Sequence, residues 1–402
     1  MFAAATRGLE TTRDPWIYNY SSAAVEANVS RMANFYNAQV EKLNQFVASN
    51  PGIEIKKSAK ELKNNDPTRI SWSSSLEQSL VRRKRAATES NLVVGAYRPF
   101  SKMAVHFDAM FNHRRGKLPS MFPTPNHPNY GFVVMGPGND KPFSTHAVDA
   151  LPDLGMWGSG PSQFFARYTY EAVASDTLEF SADVVDGYRR IDNITDATLK
   201  EYRTWYGNDV TKDDVFAFIY GFLHSPDYRT RFAADLNRSL PRIPRIDVNQ
   251  FPTFRDAGEK LLGLHIDYEN VEPYPIVVDG IPEGLKGEAL YDALRVQKMK
   301  YGKQGKEKDQ TVIHYSPSIT ISGLPEEAQR YMLGSRSGLD WIIDRYQVKV
   351  DKPSGIVNDP NDWSREMGNP RYILDLIAKV TTVSVETMKI VDSLPDLEIV
   401  ED

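Results

Sequence analysis

The chain has no cysteine, which excludes disulfides and thiolate metal sites. Its seven histidines form no His-x-x-x-His or comparable ligand pair, so the sequence gives no metal site. No apolar run approaches the roughly 18 residues that a membrane span needs. The N-terminus, MFAAATRGLETTRDPWIYNY, lacks a charged region followed by a long apolar core and does not read as a signal peptide. A cytoplasmic protein with no membrane partner is the expectation.

Catalytic signatures are also missing. No phosphate-cradling loop ends in Gly-Lys-Ser/Thr, and Gly136-Pro137-Gly138 lacks the spacing of a dinucleotide fingerprint. Asn369-Pro370-Arg371-Tyr372 comes nearest to the Asn-Pro-Pro-aromatic loop of an adenine methyltransferase, but arginine replaces the second proline; it reads as a helix start. Glu54-Ile55-Lys56 has a Glu-x-Lys spacing, yet Glu41 is the one acid in the dozen or so residues before it. A Mg²⁺ nuclease needs clustered carboxylates. Ser335 and Ser337 are not set in a Gly-x-Ser-x-Gly elbow. The chain reads as non-enzymatic.

What is present is an ordinary globular composition. The 402 residues are 41% hydrophobic and 11% aromatic, enough for sizeable cores and two or three domains. The net charge of −5 is spread unevenly. Residues 82–117 carry a strong cationic excess from Arg82, Arg83, Lys84, Arg85, Arg98, Lys102, Arg114, Arg115 and Lys117, against Glu89 and Asp108. Residues 292–308 are also basic, whereas 171–214 and the tail from Asp375 are acidic. A basic patch on an acidic protein still binds phosphate locally.

Val25, Val29, Met32, Tyr36, Val40, Leu43 and Val47 recur at helical spacing and predict a helix over 21–48, ended by Asn50-Pro51-Gly52. A basic helix is expected near 75–88, making residues 1–90 a helical connector. Short β-branched and aromatic runs at 91–97, 130–135 and 164–170, separated by Pro, Gly and Asn, predict a sheet with long loops. Helices are expected at 195–206, 212–223, 227–239 and 252–263. Thr211 with Asp214 resembles a capping box. Residues 272–281 and 311–322 look strand-rich, and the second alternates. A helix follows Pro325 and closes at Gly334, Ser337 caps the next with Asp340 at its third position, and a last helix lies around 370–380. The fold class is α+β, divided as 1–90, 91–270 and 271–402.

Tyr97 to Lys117, YRPFSKMAVHFDAMFNHRRGK, mixes cations, Asn112 and aromatics. Arginine and lysine suit guanine's paired acceptors, and asparagine suits adenine, in the major groove. The Tyr220–Pro244 block, YGFLHSPDYRTRFAADLNRSLPRIP, reads as helix, turn, helix and a proline-rich exit. The lysine-rich 298–308 segment reads as a solvated loop.

Several ordered motifs together resemble the C-terminal part of type ISP restriction-modification enzymes. They are Arg13-Asp14-Pro15-Trp16-Ile17-Tyr18-Asn19-Tyr20, Tyr97-Arg98-Pro99-Phe100, the 220–244 block, Gly334 to Val348 (GSRSGLDWIIDRYQV), and Ser354 to Asn361. The resemblance spans nearly the whole chain. It implies a target recognition domain for duplex DNA, entered through a helical connector, with methyltransferase, translocase and nuclease domains upstream. Met1 would then be an artificial or alternative start. No cofactor is expected in this chain; S-adenosylmethionine, ATP and Mg²⁺ would serve the upstream domains. On this reading Asn112, Arg114, Arg115 and Asn126 are candidates for base edges. Arg98, Lys102, Lys117, Arg229, Arg242, Lys300, Lys303 and Arg336 are candidates for phosphates. The rival expectation is a coupling module between methyltransferase and translocase, marked by an exposed apolar patch.

Overall fold

The computed structural model describes residues 1–173 and 184–400. Its architecture is α+β: a helical layer near the N-terminus, then sheets and helices that share a continuous core.

The Ser21 hydroxyl accepts the Ala24 N–H and starts the helix Ser22–Ser49. The apolar stripe from Val25 to Leu43 is buried along it. Its polar members tie it to the following turn. The Tyr36 hydroxyl donates to the Lys84 carbonyl at 2.9 Å, and the Asn37 amide both donates to and accepts from the Ala86 backbone. Two short helices, Ile55–Leu62 and Ser74–Val81, complete the layer. The expected basic helix over 75–88 ends at Val81, because Arg83 takes a left-handed conformation (φ 54°) that a continuing helix does not contain.

The first twenty residues are woven into later strands. Thr6–Arg7 pairs antiparallel with Ser162–Ala166, at the edge of a four-stranded sheet continued by Gly131–Met135 and Thr145–Val148. Tyr18–Asn19 pairs with Ser101–His106, at the edge of a second sheet continued by Leu92–Arg98 and, in parallel, Leu151–Pro152. Gly131–Met135 is buried throughout, as a central strand covered on both faces should be. Phe132 meets Phe216 and Tyr220 of the helix Lys212–Phe222. That helix crosses Phe251–Ile266 at very close range. A Cβ on Gly258 would lie 1.8 Å from the Ala217 carbonyl oxygen, so only glycine lets the backbones meet.

The run expected as one strand over 164–170 is two. Ser162–Ala166 belongs to the first sheet, and Tyr168–Ala172 to a three-stranded sheet with Tyr188–Asp192 and Val184–Val185. Arg167, buried between them, pairs with Asp192 at 2.5 Å and Asp213 at 2.7 Å and fixes the switch. The 227–239 helix breaks at Phe232 into Pro226–Arg231 and Ala233–Leu236. Of 272–281 only Val277–Asp279 is strand. The alternating 311–322 run folds back on itself: Glu307–His314 and Thr320–Ser322 pair antiparallel, because Ser316-Pro317-Ser318 supplies a turn within the alternation. The segment after Pro325 forms one 3-10 turn, Glu326–Gln329, and Gly334 (φ 69°) turns the hairpin of Met332–Leu333 with Arg336–Ser337. The capping boxes of Thr211 with Asp214 and Ser337 with Asp340 are both complete. The last helix, Tyr372–Asp392, runs well beyond 380 and packs on Phe251–Ile266 and Gly338–Arg345.

Candidate nucleic-acid interface

The 107–129 loops are built outward from a rigid base. Arg13 is buried and makes no ion pair, though the Asp108 carboxylate nearby favours its charge; its guanidinium donates to the Ser71 carbonyl (3.0 Å), the Phe111 carbonyl (2.5 Å) and the Ser73 hydroxyl (2.6 Å). Burial lowers its pKa to about 10, still far above neutrality. Arg13 therefore ties the N-terminus, the helical layer and the loop together. Backbone bonds join Glu10 and Arg114 in both directions at 3.0 Å, and the Lys117 N–H donates to the Thr6 hydroxyl at 3.0 Å. Gly116 (φ 52°) makes the close approach to Thr6 possible.

On this base Arg114 and Lys117 are exposed and Arg115 is half-exposed over the Phe107 ring at 5.3 Å. Arg114 has Glu10 at 3.8 Å, too open a pair to hold it. Asn112 is placed differently. It is 2% exposed, its carbonyl oxygen accepts the Asp108 N–H (2.8 Å), and its amide donates to the His106 carbonyl (3.0 Å). It shapes the loop from inside and presents no edge to a ligand.

The second arm, 121–129, packs on the three-stranded sheet. His127 bonds the Thr124 hydroxyl at 2.6 Å and the Val185 carbonyl at 3.0 Å, with its ring against Tyr170 and Tyr188. Asn126 is exposed at the tip and donates to Asp186 at 2.8 Å. Between this arm and the second sheet runs a groove of about 660 Å³, bordered by Phe107, Phe122, Asn129, Asp149, Glu269 and Trp363. Lys102 sits in it between Glu269 (2.8 Å) and Asp149 (3.2 Å). Burial works against its charge, but the two carboxylates outweigh burial and hold the ammonium above its ordinary pKa.

The other phosphate candidates fall elsewhere. Arg98 is buried, paired with Asp153 at 2.7 Å and laid over Tyr97; it fixes the turn into Ser101–His106. Arg229 donates to the Leu223 carbonyl and lies near the Phe143 ring. Burial lowers it to about 10, and only Tyr331 and Tyr220 pull the other way. Arg242 is exposed, and its carbonyl receives the Tyr228 hydroxyl. Lys300 and Lys303 are exposed on the hairpin Lys300–Gln304 with Glu307–His314. Arg336 pairs with Asp344 and lies over Trp341, on the helix that also receives Lys308 through Asp340. The structure thus brings Arg114, Arg115 and Lys117 onto one loop and the 300–308 hairpin near Arg336. It commits Arg98, Lys102 and Asn112 to internal bonds. Among the described residues no group of three His, Asp or Glu side chains is placed to hold a metal.

The Tyr220–Pro244 block is interior at its start, where Tyr220 to Ser225 and then Tyr228 are buried, and exposed over much of 230–238. His146, His224, His265, Tyr220 and Tyr331 form a buried cluster in which His265 accepts or donates to Tyr220 (2.5 Å) and Thr387 (2.9 Å). Its ring stacks on Tyr331 at 5.2 Å. Burial drives all three imidazoles below their ordinary pKa, His146 to about 3.

The family model of the type ISP C-terminal specificity domain matches residues 1–376. The chain belongs to this family. This specificity domain is similar over its whole length to part of a nuclease-deletion mutant of the type ISP restriction-modification enzyme LlaGI, solved with a DNA substrate mimic: 34% identity, TM-score 0.82, 100% of this chain and 34% of that one. It is similar to the ATP-dependent type ISP enzyme LlaBIII bound to DNA at 31% identity and TM-score 0.83, covering 100% and 24% of the two chains. A DrdV–DNA complex aligns at 28% identity and TM-score 0.80, over 99% of this chain and 36% of that one. No curated protein matches at a significant level. The specificity domain therefore spans about a third or less of the length of the first two enzymes.

Sequence reasoning passed over Arg82, Arg83, Lys84 and Arg85 when assigning single residues. The signal was the run itself, which the structure leaves exposed.

Proposed function

We propose that this specificity domain reads a defined site in duplex DNA for a restriction-modification enzyme. The observation that carries the reading is the full-length similarity to two enzymes solved with DNA or a DNA mimic. The 107–129 loops supply suitable chemistry. Arg114 and Arg115 offer guanidinium forks for guanine O6 and N7, and Asn126 offers an amide for adenine once it leaves Asp186. Lys117, Arg242, Lys300, Lys303 and Arg336 would serve phosphates, which fix register without reading sequence. Arg336 would exchange Asp344 for a phosphate oxygen.

In the whole enzyme this readout would position one adenine for methylation by a domain of the same chain. Unstacking that base costs a few kcal/mol, which contacts on both sides of the duplex offset. The acidic net charge suits a domain that shares its phosphate grip with others.

The test is selection of random duplex DNA by the 402-residue chain at about 50 mM salt, where phosphate contacts are strong. An enriched asymmetric motif containing adenine is expected. Binding without enrichment would refute base readout by this domain, and enrichment that survives R114Q/R115Q/N126A unchanged would refute the residue assignment.

A further inference from the structure

We infer that Arg82, Arg83, Lys84 and Arg85, with Lys56 and Lys60, form a second, sequence-independent grip on the phosphate backbone of duplex DNA. This inference rests on the reading of the chain as a duplex DNA binder and names a surface that the base-reading loops do not include.

All six side chains are exposed. Among the described residues only Arg85 has a carboxylate within reach, Glu41 at 3.9 Å with both partners more than half exposed. The nearest acid on the helix Ser74–Val81, Glu77, is taken by Lys63. Four adjacent cations repel one another, and among the described residues only the open Arg85–Glu41 pair offsets any of that charge.

The backbone adds a separate observation. The helix closes with the Lys84 N–H on the Ser79 carbonyl (3.0 Å) and the Arg83 N–H on the Leu80 carbonyl (2.8 Å). This closure places residue 83 at φ 54°, where glycine is the ordinary choice and a side chain is strained. Here the position holds an arginine. Favourable interaction with a helix C-terminus accounts for a cation or two in the last turn, not for a run of four that extends past the helix.

Position completes the case. Ser75, on the same helix, bonds His113 at 2.9 Å, and His113 adjoins Arg114. At 1.5 Å per residue Arg82 lies about 10 Å along the helix from Ser75, the height of roughly three base pairs. The patch therefore lies on a helix whose other end touches the loop that carries Arg114, Arg115 and Lys117. Between Ile55–Leu62 and Ser74–Val81, Ala59, Leu80 and Val81 line a cleft whose rim includes Lys56, Lys60 and Arg82, so their alkyl stems have apolar surface to lie on.

The experiment compares the 402-residue chain with R82Q/R83G/K84Q/R85Q on a random duplex of about 40 bp and on the same duplex carrying a selected site, over a range of salt. Each lost phosphate contact lowers the slope of log K against log salt by about 0.9, so the slope should fall by about 3 to 4. Affinity should fall by the same factor on both duplexes, leaving their ratio unchanged. Thermal stability should not drop, since R83G relieves the strained position. If the quadruple variant fails to fold, K56Q/K60Q should still lower the slope by about 2. An unchanged slope, or a loss confined to the selected site, overturns the inference. So does an unchanged slope with lost binding to a poly-glutamate probe, which assigns the patch to an acidic protein. A wild-type chain that binds DNA without selecting a sequence, and loses the slope in the variant, refutes base readout while supporting the grip. A wild-type chain that does not bind DNA overturns both.

Discussion

Mild acid should destabilise this domain well before its surface carboxylates are protonated. His146, His224 and His265 are each about 1% exposed, and neighbouring ring centroids among them lie 5.2 and 5.5 Å apart. Burial holds all three neutral, His146 down to about 3, and in His224 and His265 the nearby Arg229 adds to the effect. Unfolded imidazoles protonate near 6.5. Between that value and the depressed native ones the unfolded chain binds more protons, so stability is complete above pH 6.5 and falls as pH falls. From pH 6.5 to 5 three such groups cost about 5 kcal/mol in all. Asp153 acts in the opposite sense. Burial raises its carboxyl to about 7 against the pull of Arg98, so protonating it in the native state returns about 2 kcal/mol over the same interval. The net loss is about 3 kcal/mol, carried by uptake of about two protons on unfolding near pH 5.5. Urea unfolding followed by tryptophan fluorescence at pH 6.5, 5.75 and 5 measures the loss, and H146F should reduce the proton uptake by about one. A stability that is flat or rises over this interval, or three native imidazoles titrating near 6.5 by NMR, would refute the argument.

Two arginines that look alike in sequence should separate cleanly by phenotype. R98Q removes a hydrogen-bond donor from the buried Asp153 and should cost about 2 kcal/mol of stability, while the folded fraction keeps its salt slope on DNA. R114Q should leave the melting temperature unchanged and lower that slope by about 0.9; the reverse pattern would exchange their roles. N112A removes two internal bonds of the loop and should cost about 2 kcal/mol, with site preference lost through disorder of Arg114 and Arg115. Restored preference in a crosslinked loop would show that Asn112 does not itself read bases. G258A drives a methyl group into the Ala217 carbonyl and should cost about 3 kcal/mol. G263A, on the same helix with open space around it, should gain about 0.5 to 1 kcal/mol. Equal melting temperatures for these two alanine variants would contradict the close helix crossing.

What the sequence revealed depended on how far apart the deciding partners lie along the chain. The capping boxes of Thr211 and Ser337 are settled within three residues, and both were legible. The stripe of Ser22–Ser49 was legible because one face repeats for about six turns. The 311–322 run is strand-rich as its alternation implies, but alternation continues on both sides of Ser316-Pro317-Ser318, and only the pairing of Ile313 with Ile321 reveals the fold-back. The site was harder for the same reason. A cation's role depends on whether the fold brings a carboxylate or a carbonyl to it. Arg13 finds its partners at Ser71, Ser73 and Phe111, Arg98 at Asp153, and Lys102 at Glu269. Arg98 and Lys102 counted toward the basic character of 82–117 in sequence, and all three cations are spent inside the protein. Arg82 to Arg85, Arg114 and Lys117 remain exposed after those pairings are made. The family landmarks misdirect in a related way: Tyr220, His224 and Tyr228 are buried because they hold the helices under the sheets. A motif that persists through such packing identifies the scaffold, and the DNA-reading residues must then be sought among the side chains that the scaffold leaves without a partner.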